Sequence, residues 1–325
     1  MNKVFELTKG KNKIMVSEGG GMVSGTFDIE GELVSPFYCH PWNEDEADEG
    51  ILKWLQGDFV CVPFGIHPRQ KIDGYEAEVK CKQPAHGLSS NTKWNVKCLN
   101  DHIEMNIKYN SCEIDKIQRK VMFLQGCNGI EFNNTIYANI DTFMPVAIHP
   151  VFRLNEKRGS MKLIVPECET IATYPIKLDK SSRVKPNIFT NDLSKVPLED
   201  GEEVDLTSLP LADDVEEIVM LCGLKDNRII LENHEENYRV IVEVDLACFS
   251  NCVLWFSNRG RTFTPWNGRN LCLGIEPSTA AFDFGSDISC ADNLLKKKGF
   301  KTAMKICADS AFKIDYKIFV ERLNK

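Results

Sequence analysis

From Phe312 to Val320 the apolar residues fall at 312, 314, 316, 318 and 320, with Lys313, Asp315 and Lys317 between them. Successive side chains of a strand point to opposite faces, so this period of two specifies a strand with one face in a core and one in water. The segment His102-Ile103-Glu104-Met105-Asn106-Ile107-Lys108-Tyr109 alternates in the same way. Arg228 to Glu232 and Tyr238 to Asp245 flank the polar stretch His234-Glu235-Glu236-Asn237, the pattern of a hairpin. Strand-like runs also cover Val121 to Leu124, Gly129 to Asn139, Met161 to Val165 and Val253 to Ser257. Helical signal is confined to Asp292 to Lys298, closed by Gly299, with its basic end where a helix C-terminus favours cations.

The strand pattern runs through the 325 residues without a break in composition. All-β domains often reach about 200–250 residues as one unit, and longer ones occur. The reading is therefore one domain over 1–325. Glu44 to Glu49 reads as an acidic loop, and Asp179 to Leu198 as a polar, proline-containing excursion before strands resume. No repeat of fixed period is visible. Many antiparallel strands joined by long connections predict an all-β protein, a large antiparallel β-sandwich.

Composition excludes several classes. A formal net charge of -8 leaves no basic excess to neutralise phosphates, which argues against nucleic-acid and anionic-membrane partners. No run approaches the roughly 18–20 apolar residues of a membrane span, and Met1 to Lys13 is polar without an apolar signal core, so a cytoplasmic protein is expected. The 13 cysteines contain no Cys-x-x-Cys pair. The closest two, Cys248 and Cys252, fall in the strand-like run Ala247 to Phe256, so reduced structural thiols are expected and no metal site.

Three short stretches carry titratable groups beside Gly or Pro at the ends of apolar runs. They are Pro84-Ala85-His86-Gly87 with Trp94 downstream, Ala147-Ile148-His149-Pro150-Val151-Phe152, and Gly274-Ile275-Glu276-Pro277. Singly, each has an ordinary explanation: His86 as a turn residue, His149 as a strand end bonded to a backbone carbonyl. Glu276 is harder to set aside, because it follows the apolar run Leu271-Cys272-Leu273-Gly274-Ile275, where an unpaired carboxylate is costly. Two imidazoles and a carboxylate together are the parts needed for acid–base chemistry on a sugar hydroxyl.

In this order and context the three motifs resemble the aldose 1-epimerase (galactose mutarotase-like) superfamily, from roughly Gly20 to the last strand. The resemblance implies the galactose mutarotase-like supersandwich of two extended antiparallel sheets. It also implies an isomerase that interconverts the α and β anomers of a sugar without metal or cofactor. By it His149 is the general acid, Glu276 the general base and His86 a sugar-binding residue. Arg69 falls where the family presents an arginine to sugar hydroxyls, with His67 a rival, and Trp94 and Phe152 join Arg69 as substrate-binding candidates. Trp42 and Trp266 are further rings able to stack on a sugar. The family's additional acid corresponds to one of Asp213, Asp214, Glu216 and Glu217, and the sequence does not choose among them. A monosaccharide or small sugar is the expected partner, and a monomer or homodimer the expected state.

Departures from the family bear on substrate. Where hexose-6-phosphate epimerases follow the first His-Gly with an aromatic-Ala-Arg sequence, this chain has Leu88-Ser89-Ser90, so an unphosphorylated sugar is expected. Val151-Phe152-Arg153 replaces the frequent Tyr-Phe-Asn, leaving Arg153 to face an anionic group or cap a surface strand. Two other classes share such a fold: a carbohydrate-binding protein without turnover, and a polysaccharide lyase or hydrolase. A hydrolase needs two carboxylates about 5–9.5 Å apart, whereas one convincing carboxylate is visible here. A lyase favours a Tyr or Lys base in a basic groove, against the acidic balance of this chain.

Overall fold

In the strand Phe312–Arg322, Ile314, Tyr316, Ile318 and Val320 are buried, as their alternate spacing requires. The computed structural model describes residues 2–323 apart from Glu44, Asp48, Glu49, Cys81, Lys82 and Cys112. Phe312–Arg322 is an inner strand of a nine-stranded antiparallel sheet. The order is Ser208–Leu209, Met161–Ile164, Arg228–Asn233, Tyr238–Val244, Phe312–Arg322, Asn128–Ala138, Ile114–Phe123, His102–Lys108 and Asn95–Cys98. The expected hairpin is present, with Arg228 paired to Glu243 and Asn233 to Tyr238.

A second, eight-stranded sheet runs Phe189–Thr190, Cys168–Thr173, Val215–Leu224, Asn251–Asn258, Leu271–Thr279, Val146–Ile148 and Val60–Cys61, with Val151–Arg153 also paired to Leu271–Thr279. A four-stranded sheet is made by Val4–Lys9, Asn12–Ser17, Val23–Ile29 and Glu32–Val34. The protein is thus an all-β, large antiparallel β-sandwich. One apolar cluster, including Leu221, Leu254, Phe256, Leu273 and Ile275, joins the eight-stranded sheet to the nine-stranded one. The intervening residues Met220, Val253, Trp255 and Cys272 belong to a second cluster on the opposite face. Strands buried on both faces lose simple alternation of polarity, which is why Val215–Leu224 and Leu271–Thr279 read as continuous apolar runs.

A charge lies inside the sandwich. Arg119, on Ile114–Phe123 of the nine-stranded sheet, pairs through Nη2 with Asp58 Oδ2, and both are buried. Tyr316 donates to the same carboxylate oxygen at 2.5 Å, and Arg119 Nη1 donates to Gly21 O at 3.0 Å. Asp58 adjoins the strand Val60–Cys61, so the pair ties one sheet to the other.

The expected helix near 292–298 is Leu294–Lys297, where Asn293 caps the first turn by accepting from Lys296 N at 3.0 Å. Two further short helices are Gly285–Cys290, whose Ile288 joins the cluster on the second face of the eight-stranded sheet, and Gly87–Asn91, which meets the edge of that sheet through Gly87 and Val62. The 179–198 excursion contains the short strands Phe189–Thr190 and Val196–Pro197. In the acidic loop Glu44, Asp48 and Glu49 lie outside the described residues, while Glu46 pairs with Arg269 Nη2 at 2.7 Å. The described cysteines are free thiols; Cys61, Cys222, Cys252 and Cys272 are buried, whereas Cys39, Cys98 and Cys127 are exposed. Among the described residues no helix is long and apolar enough to cross a membrane.

Candidate active site

Strand parity decides which side chains meet. Glu276 stands opposite Val253, Gly274 opposite Trp255, and Cys272 opposite Ser257, which in turn faces Glu216. Residues two apart share a face, so Glu276, Trp255, Ser257 and Glu216 all project from the second face of the eight-stranded sheet. Gly274 leaves the space that Glu276 uses: a Cβ there would come within 2.6 Å of Glu276 Oε1.

His149 follows Val146–Ile148, which pairs with both Leu271–Thr279 and Val60–Cys61. Its backbone N–H donates to Phe59 O at 2.8 Å, and the Phe59 ring stacks on the imidazole at a centroid distance of 4.4 Å. In this setting His149 Nε2 lies 3.3 Å from Glu276 Oε1, with 4 % and 3 % of the two residues exposed. His86 stands at right angles to His149, 5.2 Å between ring centroids, and Phe64 packs against it at 5.1 Å.

His86 occupies the turn into Gly87–Asn91 with φ +61, a left-handed conformation uncommon outside glycine. Gly87 also has positive φ (+77), and a Cβ on it would meet Val62 O at 2.1 Å. The helix therefore begins pressed against the sheet, which aims His86 at His149. The Nδ1 atoms of His86 and His149 are both buried without a hydrogen-bond partner among the described residues.

Burial pushes Glu276 well above the usual carboxylate range, and the neighbouring Asp283 charge adds to the effect. Burial holds His149 well below the usual imidazole range, helped by its proximity to His86. Burial also lowers His86, to about 4. Both shifts in the His149–Glu276 pair favour uncharged forms, so the pair holds one proton between the lowered His149 titration and the raised Glu276 titration. A neutral imidazole beside a protonated carboxyl has the same proton count as an imidazolium beside a carboxylate.

Beside the pair lies a polar network. Glu216 accepts from Ser257 Oγ at 2.6 Å and Trp255 Nε1 at 3.1 Å, and lies 3.4 Å from Arg261 Nε. Burial raises the Glu216 carboxyl, and the Arg261 charge opposes that rise. Asn270 links this group to the loop carrying Tyr38, donating to Ser257 Oγ at 2.5 Å and accepting from Tyr38 Oη. Arg261 lies over the rings of Trp255 and Trp266, at 5.6 and 4.7 Å. Tyr174 donates to Asp283 Oδ1 at 2.7 Å.

The structure brings together His86, His149 and Glu276 and separates the other predicted site residues from them. Trp94 is 3 % exposed; its indole N–H donates to Ser89 O at 2.7 Å, so the ring braces the His86 helix from the core and has no open face for a sugar. Phe152 is fully buried against Phe37 at 5.6 Å, on the face turned toward the nine-stranded sheet. Arg69 is exposed on the loop beyond Gly65, and Arg261 is the arginine beside the site. His67 turns to Asp287, 3.6 Å away. Trp42 packs edge-on against Trp266 at 4.9 Å, both buried. Arg153 pairs with Glu236 at 2.5 Å and donates to Ser35 O.

Among the four open acids, Asp213 and Asp214 form exposed pairs with Arg183 and Arg158. Glu217 faces away from the site, accepting from the backbone N–H groups of Arg183 and Val184. Glu216 is the one that reaches it. Its parity with Ile218 and Met220 was a usable signal, but only once the strand's pairing with Trp255 is known. Arg261 and Asp283 follow strand ends in irregular chain, where no periodicity marks them. Among the described residues no group of three His, Cys, Asp or Glu side chains is arranged to hold a metal ion.

No protein-family model and no curated protein matches the chain. Solved structures do. A GalM/aldose epimerase homologue from C. elegans superposes with TM-score 0.64 at 10% identity, covering 100% of both chains. A galactose mutarotase related enzyme from Lactobacillus acidophilus gives TM-score 0.60 at 16% identity over 98% of this chain and 97% of that one. A galactose mutarotase-like protein from Lactobacillus casei gives 0.60 at 12% over 98% and 100%. At these identities the likeness is one of fold. The chain has the galactose mutarotase-like supersandwich fold over nearly its whole length.

Proposed function

We propose that the protein is an aldose 1-epimerase-like isomerase, a single-domain enzyme that interconverts the α and β anomers of an unphosphorylated sugar. The observation that carries this reading is the His149–Glu276 pair, 3.3 Å apart with His86 beside it. Anomer exchange opens the ring at C1, rotates the aldehyde and recloses it on the other face. The C1 hydroxyl must lose a proton while the ring oxygen gains one. Both oxygens are bonded to C1, so an acid and a base a few ångströms apart can serve them together.

With its one proton on His149, the pair presents a carboxylate to the C1 hydroxyl and an imidazolium to the ring oxygen. Closure on the opposite face reverses the two transfers and restores the pair. Positioned proton transfer of this kind contributes about 10²–10⁴-fold. His86 donates to a sugar hydroxyl and stabilises charge developing on oxygen. The absence of an arginine after His86-Gly87 favours a sugar without phosphate: Ser89 and Ser90 are buried, and Ser89 Oγ accepts from Val62 N at 3.1 Å. Polarimetry of freshly dissolved α-glucose, α-galactose and other aldoses tests the reading, which requires faster approach to anomeric equilibrium with the protein present.

A further inference from the structure

Beyond the strand Leu271–Thr279 the chain continues Ala280-Ala281-Phe282-Asp283, and its path there is conformationally expensive. Phe282 is fully buried and has φ +48. A bulky residue in this left-handed region costs about 1–3 kcal/mol and persists only where its surroundings fix it. The surroundings do so: the ring contacts Tyr174 at 5.4 Å, Phe284 at 5.6 Å and Tyr75 at 6.0 Å between centroids.

What this turn achieves is the placement of Asp283. Its carbonyl accepts from Ile66 N at 2.8 Å, beside Gly65, whose own carbonyl accepts from His86 N at 3.0 Å. Its carboxylate accepts from Tyr174 Oη at 2.7 Å and takes no other side-chain partner among the described residues. Asp283 is half-buried and close enough to Glu276 for its charge to be felt there. The nearby cation, Arg261, is already paired with Glu216 at 3.4 Å. A half-buried acid that serves only the fold is normally matched by a cation or by several donors. This one has one side-chain donor, Tyr174, besides its own backbone N–H and the charge of the already paired Arg261, and its charge reaches the proposed base.

We propose that Asp283 is a substrate-binding residue that accepts hydrogen bonds from hydroxyls of a neutral sugar ring and selects against anionic sugars, with Tyr174 as its positioning residue; the proposal rests on the aldose 1-epimerase reading above. A carboxylate is the strongest acceptor a side chain can offer a hydroxyl, since charge-assisted hydrogen bonds are about twice as strong as neutral ones. The same charge repels a phosphate or carboxylate on the ligand, and a partly desolvated site strengthens that repulsion. Selection here comes from a repulsive element as well as an attractive one.

The test measures binding and turnover separately in the wild type, Asp283→Asn and Tyr174→Phe. Titration of intrinsic tryptophan fluorescence with D-galactose, D-glucose and their 6-phosphates gives Kd, and polarimetry with the neutral sugars gives kcat and KM. The proposal predicts that Asp283→Asn raises Kd and KM for the bound neutral sugar about tenfold, the value of one charge-assisted over one neutral hydrogen bond. The preference for neutral over phosphorylated sugar falls by a similar factor. Tyr174→Phe raises KM by a smaller factor and leaves the neutral preference in place. Kd and KM unchanged in Asp283→Asn, with a wild-type thermal transition, would overturn the proposal, as would a wild type that binds no neutral sugar. If Asp283→Asn fails to fold, a Glu276→Gln crystal soaked with the sugar decides the matter. A ring hydroxyl within 3.2 Å of Asp283 supports the proposal, and none within 5 Å overturns it. Neutral sugar bound in an Asp283-dependent way without accelerated mutarotation would sink the epimerase reading alone.

Discussion

At the scale of the residue, the site is a problem in proton bookkeeping. Glu276 is raised and His149 lowered, both chiefly by burial, so the two shifts move in opposite directions from their ordinary values. Between those displaced titrations the pair holds one proton, the state that can both give and take. Raising the pH removes that proton only above the elevated Glu276 titration. Lowering it adds a second only below the depressed His149 titration, where His86, lowered to about 4, also charges. The expected profile of kcat/KM is therefore level through pH 6.5, with its acid limb displaced below the ordinary imidazole range and its basic limb set by Glu276. An acid limb with its midpoint at pH 6.5 would show that an ordinary, solvated histidine governs the reaction.

At the scale of the element, the short helix Gly87–Asn91 exists in order to meet the sheet. Gly87 forms a bridge with Val62, and its φ of +77 and the 2.1 Å approach of Val62 O to any added Cβ leave room for no other residue. Gly87→Ala is predicted to cost about 1–3 kcal/mol in a urea melt and to raise KM through displaced His86. An unchanged melt and unchanged KM would show that the close approach carries no consequence. The sequence made the strands of the nine-stranded sheet plain, because Phe312–Arg322, His102–Lys108 and the 228–244 hairpin each have one wet face and keep a period of two. It also marked His86, His149 and Glu276, whose Gly and Pro neighbours reflect real turns and close approaches. It did not show that Trp94 and Phe152 are buried in the layer between the sheets, because an aromatic beside a motif gives no parity: which face Phe152 points to depends on pairing with Leu271–Thr279. It missed Arg261 and Asp283 because both follow strand ends, where irregular chain has no periodic pattern to read.

At the scale of the whole molecule, the two sheets are held by the apolar layer between them and by one ion pair through it. Arg119 from the nine-stranded sheet meets Asp58 beside Val60–Cys61, with Tyr316 closing the group. Asp58 adjoins Phe59, whose carbonyl accepts from His149 N and whose ring stacks on the imidazole. The clamp between layers is therefore one residue from the contact that orients the proposed acid. Breaking a buried pair by removing one partner costs about 3–5 kcal/mol, because the other charge is left uncompensated. Asp58→Asn should lower the urea midpoint accordingly, and a loss below about 1 kcal/mol would show that Arg119 finds other acceptors.

The central claim is that His149 and Glu276 exchange one proton with a sugar. Its most direct test is mutarotation of α-galactose and a panel of aldoses by the wild type and by Glu276→Gln, followed by polarimetry. Glutamine keeps the shape of the side chain and removes its acid–base function. The prediction is acceleration by the wild type and a loss of at least about 10²-fold in Glu276→Gln, with sugar binding retained. Equal acceleration by both proteins would contradict it.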